Sequence, residues 1–187
     1  MSSHHIVREK QEPALYIHHL GNFDEEYLGQ LLEWSPSLVV NSSEFEKVIS
    51  LGLKVDIVVN PEDSIIFQEN TKSINTDNSD MKSVLEYLIS EGYPAVNLID
   101  SDGEFESFKE YISQINIVLF TGNYKAYAIK SGFKVWKPSG TIFTIADGQE
   151  FTYQNLEPLE PGVYEVAHDG FVEFLFSPSY LFISETL

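Results

Sequence analysis

The chain has 187 residues, 43% hydrophobic and 13% aromatic. That is enough to bury a sizeable core, as one domain or two small ones, and it excludes a disordered chain. Its 29 acidic residues against 11 basic ones give a formal net charge of -18, a field that repels nucleic acid and anionic membrane surfaces. Cysteine is absent, which excludes disulfides, thiolate metal sites and thiol catalysis and fits a cytoplasmic location. The start, MSSHHIVREKQEP, lacks the apolar stretch of a signal peptide, and no apolar run approaches the roughly 20 residues that span a bilayer.

Strand-like and helix-like stretches alternate through the first two-thirds. ALYIHHL (14–20) reads as a strand. DEEYLGQLLEW (24–34) has helical spacing at Tyr27, Leu28, Leu31 and Leu32. SLVVN (37–41) is a short strand, followed by a helix around SEFEKVISLG with Gly52 as its C-cap. VDIVV (55–59) is a third strand. SDMKSVLEYLISEG (79–92) is the clearest helix, with Met81, Val84, Leu85 and Leu88 on one face and Gly92 closing it. AVNLI (95–99) and INIVLF (115–120) bracket a further expected helix over 104–113. Continuous β-branched runs between helices predict a parallel sheet with helices on both faces.

The period changes at Thr121-Gly122-Asn123. Beyond it come only short alternating strands: YKAYAIK, GFKVW, GTIFTI, GVYEVA, FVEFLF and YLFIS. Lys137-Pro138-Ser139-Gly140 and Asp147-Gly148 punctuate them as turns. The expected organisation is an α/β domain over 1–121 and a small antiparallel β-sandwich over 122–187.

Four places in the first domain carry residues suited to chemistry. They are Asn41-Ser42-Ser43 after the second strand, Asn60-Pro61-Glu62-Asp63-Ser64 after the third, Asp77-Asn78-Ser79-Asp80-Met81 at the long helix, and Asp102-Gly103-Glu104-Phe105-Glu106-Ser107 after the next strand. Their order, inside an α/β half followed by an all-β half, resembles the thiamine pyrophosphokinase family over about residues 14–184. There the corresponding motifs read Asp-Gly-Gly, Gly-Asp-Phe-Asp-Ser, Thr-Asp-Phe and Gly-Gly-Arg-x-Asp-His. The late Ser-Asn of the family's sandwich has His168-Asp169-Gly170 as its nearest counterpart.

The resemblance implies diphosphate transfer from ATP to thiamine, giving thiamine diphosphate and AMP, with magnesium neutralising the phosphates. It implies Asp63, Asp80 and Glu106 as catalytic residues, Asp63 and Asp80 as metal ligands, and Asn41, Ser64, Asp77 and Ser79 around the nucleotide. It also implies a thiamine-like small-molecule ligand and a homodimer formed through the β half. Turnover is expected to be weak or lost. Asn41 and Pro61 stand where carboxylates would be, and the only arginine is Arg8. The alternative is a non-catalytic ligand-binding or structural homologue that keeps only the fold.

Local chemistry offers a second reading of the same residues. Asp63 and Ser64 are turn starters after a strand, and Asp77 to Asp80 suit the capping of a helix. Adjacent His18 and His19 point to opposite faces of a strand and do not chelate one metal together. His4 and His5 are read as incidental, and Gly103 alone does not make a phosphate cradle. Trp136, Tyr124, Tyr127 and Phe133 are read first as core, and second as a stacking wall for a heteroaromatic ring. No Gly-x-Ser-x-Gly motif supports serine hydrolysis.

Overall fold

A computed structural model describes residues 12–76, 80–145 and 150–187. It divides into two compact units between Ile117 and Val118.

The first unit is built on parallel strands β1 (Ala14–His19), β2 (Leu38–Asn41), β3 (Ile57–Val59), β4 (Lys72–Ile74) and β5 (Ala95–Asp100). Their spatial order is β5-β1-β2-β3-β4. Leu15 therefore faces Leu38 on one side and Asn97 on the other. Strands covered on both faces need apolar residues in succession rather than in alternation, and Ala14, Leu15, Tyr16 and Ile17 are all fully buried. Helices α1 (Glu25–Leu32), α2 (Ser42–Ser50) and α3 (Asp80–Ser90) supply the cover. Val84, Leu85 and Leu88 of α3 are fully buried, as the spacing predicts. Gly52 and Gly92 close α2 and α3 at φ values of +78° and +79°.

The second unit begins within β6 (Asn116–Thr121). After it come β7 (Tyr124–Ile129), β8 (Phe133–Lys137), β9 (Ile142–Ile145), β10 (Phe151–Gln154), β11 (Leu156–Glu160), β12 (Val163–Val166), β13 (Gly170–Phe176) and β14 (Leu181–Thr186). One antiparallel sheet runs β11-β12-β9-β14-β7-β6, and β10-β13-β8 forms another. Both contribute to a single core. Val172 and Phe174 of β13 pack with Ile129, Phe143, Ile145 and Ile183, and the rings of Phe143 and Phe174 meet edge to face at 5.5 Å. The architecture is the expected α/β half followed by an antiparallel β-sandwich. Every element described after residue 121 is a strand. Among the described residues no helix is long and apolar enough to cross a membrane.

Three expectations need correction. The helix over 104–113 is only a 3-10 turn at Phe105–Phe108 followed by further turns. Phe105, Phe108 and Tyr111 recur every third residue, which is the period of a 3-10 helix and not of an α-helix. Strands β4, β10 and β11 escape the reading, β4 because Lys72-Ser73-Ile74 is largely exposed and polar at a sheet edge. Pro158 in β11 argues against a central strand, and β11 is an edge strand. Of the four aromatics read as core, Tyr127 and Phe133 do pack against it, whereas Trp136 and Tyr124 are exposed.

Candidate functional site

In an open parallel sheet, ligands are received outside the carboxyl ends of the strands, where the strand order reverses direction. Here that point is β1. The chain passes from β1 outward through β2, β3 and β4, then returns by way of α3 to place β5 on the other side of β1. The loops following β1 and β5 therefore border the natural crevice.

The carboxyl end of β1 carries His18 and His19 on opposite sides. His18 Nδ1 lies 2.9 Å from the Tyr16 hydroxyl and 3.5 Å from Asn41 Nδ2. His19 Nδ1 lies 2.8 Å from Ser101 Oγ and 3.3 Å from Asp102 Oδ2, while its Nε2 is 4.0 Å from Glu44 Oε1. A backbone bond from Ser101 N–H to the His19 carbonyl, at 3.1 Å, fixes the two loops side by side.

Asn41 ends β2 and caps α2. Its Oδ1 accepts from the Ser43 N–H at 3.1 Å and the Ser43 hydroxyl at 3.0 Å. The capping geometry suits an amide as well as a carboxylate, so α2 begins correctly without the charge. Beyond β3, Asn60 adopts a left-handed conformation and closes on Thr76 through two 2.7 Å bonds. Asp63 and Ser64 then fall in an exposed turn closed by the Ile65 N–H donating to the Glu62 carbonyl. Glu106 sits in the 3-10 turn, ion-paired with Lys109. Asp80 is the first residue of α3. Asp77, Ser79 and the Asp80 side chain lie outside the described residues.

A cavity of about 430 Å³ opens beside β5. The loop after the strand contributes Asp100, Asp102, Gly103 and Glu104, and the following turn adds Ser107 and Phe108. Met81 and Lys82, at the start of α3, form the remaining wall. The Lys82 ammonium is held at 2.7 Å by Glu110, whose hydrogen bond and charge raise its pKa above the ordinary lysine value. Burial and a bond to Glu86 raise the Tyr111 phenol. Three carboxylates thus line the cavity against one ammonium that is already engaged.

Sequence reading singled out Asp102 to Ser107 for their position after a strand, and Gly103, Glu104 and Ser107 do line this cavity. It passed over Asp100. The available signal is a carboxylate ending a largely apolar strand, Ala95-Val96-Asn97-Leu98-Ile99-Asp100. It also left His19 without a partner, because Ser101 and Asp102 are remote in sequence. Glu106 does not line the cavity.

No protein-family model matches the sequence, and no curated protein matches it either. Solved structures do. The chain is similar to the thiamine pyrophosphokinase of Bacillus subtilis, with a TM-score of 0.71 at 13% identity over 92% of this chain and 98% of that one. Similarity to the enzyme of Geobacillus thermodenitrificans is of the same order, with a TM-score of 0.71 at 13% identity over 93% and 97%. The Candida albicans enzyme gives 0.63 at 10% identity over 94% of this chain and 89% of its own. At these identities the likeness is one of fold. Over nearly its whole length, the chain has the fold of the thiamine pyrophosphokinases.

Proposed function

We propose that the chain is a thiamine pyrophosphokinase-like protein that binds a thiamine-like small molecule and transfers diphosphate from ATP weakly or not at all. The full-length likeness of fold supports the first half of this reading, and Asn41 carries the second. It is a buried amide at the end of a central strand, committed to capping α2, where the resembled motif has a charged aspartate.

Diphosphate transfer needs the phosphates neutralised, and magnesium would supply that charge. Among the described residues no three His, Asp or Glu side chains gather into a set suited to a metal ion. Asp63 stands in an exposed turn, and Glu106 faces Lys109. Among the described residues, the donors present do not fit a resident magnesium. An ion carried in with ATP would be left to Asp63 and Asp80. The arginine of the fourth motif is replaced by Glu104, which repels phosphate instead of gripping it.

We place the protein in the cytoplasm, as a two-fold dimer through residues 122–187. The outer face of the three-stranded sheet favours that pairing, since Trp136 and Phe171 are register partners there and are 54% and 58% exposed. Sedimentation at micromolar concentration tests it, and a monomer would rule it out.

Titration calorimetry with thiamine and with Mg-ATP separately, alongside an AMP-release assay, tests the main reading. Thiamine is expected to bind, with at most trace AMP. Turnover at the level of an ordinary family member would overturn the catalytic half, and absence of thiamine binding would overturn the rest.

A further inference from the structure

Helix α1 carries more apolar surface than its own fold covers. Leu28 is its only buried residue. Tyr27 and Leu31 are half-buried, and Trp34, in the turn that follows, is 73% exposed. Glu33 keeps helical backbone, and Ser35 closes the turn at φ +52° with its N–H on the Leu32 carbonyl. Tyr27, Leu31 and Trp34 recur at i, i+4 and i+7, the spacing of one row along a helix. Glu26, Gln30 and Glu33 repeat that interval one residue earlier, and all three are exposed. The open side of α1 is therefore an apolar row beside an acidic one.

The end of the helix is also short of positive charge. Glu25 and Glu26 in the first turn suit the helix dipole. Glu33 stands at the C-cap, where the dipole is negative, and the last turn has no basic residue. A cation beside Glu33 would answer both. A second copy of the chain would instead set like charges side by side, and a formal net charge of -18 repels nucleic acid and anionic lipid. What meets both rows at once is a helix whose own apolar row is flanked by lysine or arginine.

We propose that the row Tyr27, Leu31 and Trp34 is a docking face for a basic amphipathic helix of a partner protein. Trp34 is its apolar anchor, and Glu26 and Glu33 pair with the partner's cations. Such docking involves neither the ligand nor the reaction proposed above.

The probe is a peptide of about 18 residues, long enough to form a helix, with lysines along one flank of a leucine row. A scrambled peptide of the same composition and a leucine–glutamate counterpart are its controls. Calorimetry at physiological ionic strength screens attraction to net charge alone. The amphipathic peptide is expected to bind more tightly than about 100 μM, and both controls at least about tenfold more weakly. Trp34→Ala should weaken it at least about tenfold with the melting temperature unchanged, since the ring is exposed. Trp136→Phe leaves Trp34 as the one tryptophan, and its emission should shift to the blue on binding. Glu33→Lys should raise the melting temperature by about 1–3 °C and yet weaken the peptide about threefold. A more stable protein that binds less well separates docking from a structural role. Equal binding of the scrambled peptide would leave only diffuse charge, and equal binding of the glutamate peptide only apolar adhesion. Either overturns the proposal. So does unchanged affinity in Trp34→Ala or Glu33→Lys, an unshifted Trp34 emission, or no binding at about 1 mM peptide. A sedimentation coefficient that falls in Trp34→Ala would give the face to a second copy, with the same consequence.

Discussion

Glu185 in the β unit is 1% exposed and Asp100 in the α/β unit is 8% exposed, yet their surroundings differ in kind. Glu185 meets Lys137 at 2.5 Å, Lys125 at 3.1 Å and the Tyr127 hydroxyl at 3.0 Å. Lys137 reaches it from the three-stranded sheet, whereas Lys125 and Tyr127 are on β7 of the other sheet, so the cluster joins the two layers of the sandwich. Asp100 has one long backbone bond and an oxygen facing a cavity. A buried charge whose partners all lie within its own fold holds that fold together. One at the edge of a cavity, where the strand order reverses, keeps an oxygen open to the cavity and to water and ties no two layers together.

The sharpest way to break this contrast is Glu185→Gln, which is expected to have the largest effect. Removing the carboxylate leaves two partly buried lysines uncompensated and should cost about 3 kcal/mol in urea unfolding. Combining it with Lys137→Met should recover a substantial part, since an apolar pair fits where an unpaired charge does not. A loss below about 1 kcal/mol would mean that the lysines escape to water, and the contrast with Asp100 would fail.

Tyr127→Phe should cost about 1.5 kcal/mol at neutral pH, the worth of a hydrogen bond to a charged acceptor. Burial first, then the charge and hydrogen bond of Glu185, push the Tyr127 phenol well above its ordinary 10.0. The folded state therefore holds this proton more tightly than the unfolded one. The stability it contributes is fully present below the unfolded value of about 10 and is lost as pH rises toward the folded value. The parent should accordingly lose stability above pH 10 more steeply than Tyr127→Phe, and the two should converge. Lysines titrate in the same range, so only the difference between the two proteins is diagnostic. A constant gap would refute the assignment.

These two carboxylates also show what could be read from sequence. The buried run of β1, the α2 and α3 faces and the glycines closing them follow from local pattern, because burial on two faces and a 3.6-residue period leave marks in adjacent residues. The switch to strands after Thr121 is legible for the same reason. Alternation along Leu181, Ile183 and Glu185 places Glu185 on the buried face, yet nothing nearby announces its partners, which come from β7 and β8. Asp100 is harder still, since its meaning lies in what fails to reach it. The four motif stretches are legible by their order. Their chemistry depends on contacts that order does not specify, such as Asn41 capping α2 or Glu106 turning to Lys109.

Asn41 permits a smaller test, aimed at the α/β unit. Asn41→Ala removes the acceptor for the Ser43 N–H and should cost about 1 kcal/mol. Asn41→Asp keeps the cap and restores the charge of the resembled motif. It should match the parent without magnesium and gain more melting temperature with it, by mass action. An equal response to magnesium in both proteins would remove Asn41 as the reason for the weak turnover proposed above.

The smallest expected effect on stability is that of Lys82→Met, and it bears most directly on the sign of the cavity's ligand. The Lys82–Glu110 pair is exposed, so the melting temperature should not move measurably. Binding should respond, because Lys82 is the one positive group among the described residues lining a space with Asp100, Asp102 and Glu104. With it gone, the cavity wall becomes more negative, and a small cation should be held about twofold more tightly at low ionic strength, the gain fading as salt screens it. For an anion the dependence reverses. A phosphate-bearing ligand would lose a cationic contact in the cavity wall and bind more weakly. The direction of change in this one variant, at constant stability, therefore decides whether the cavity of the α/β unit belongs to a cation or has kept some grip on phosphate.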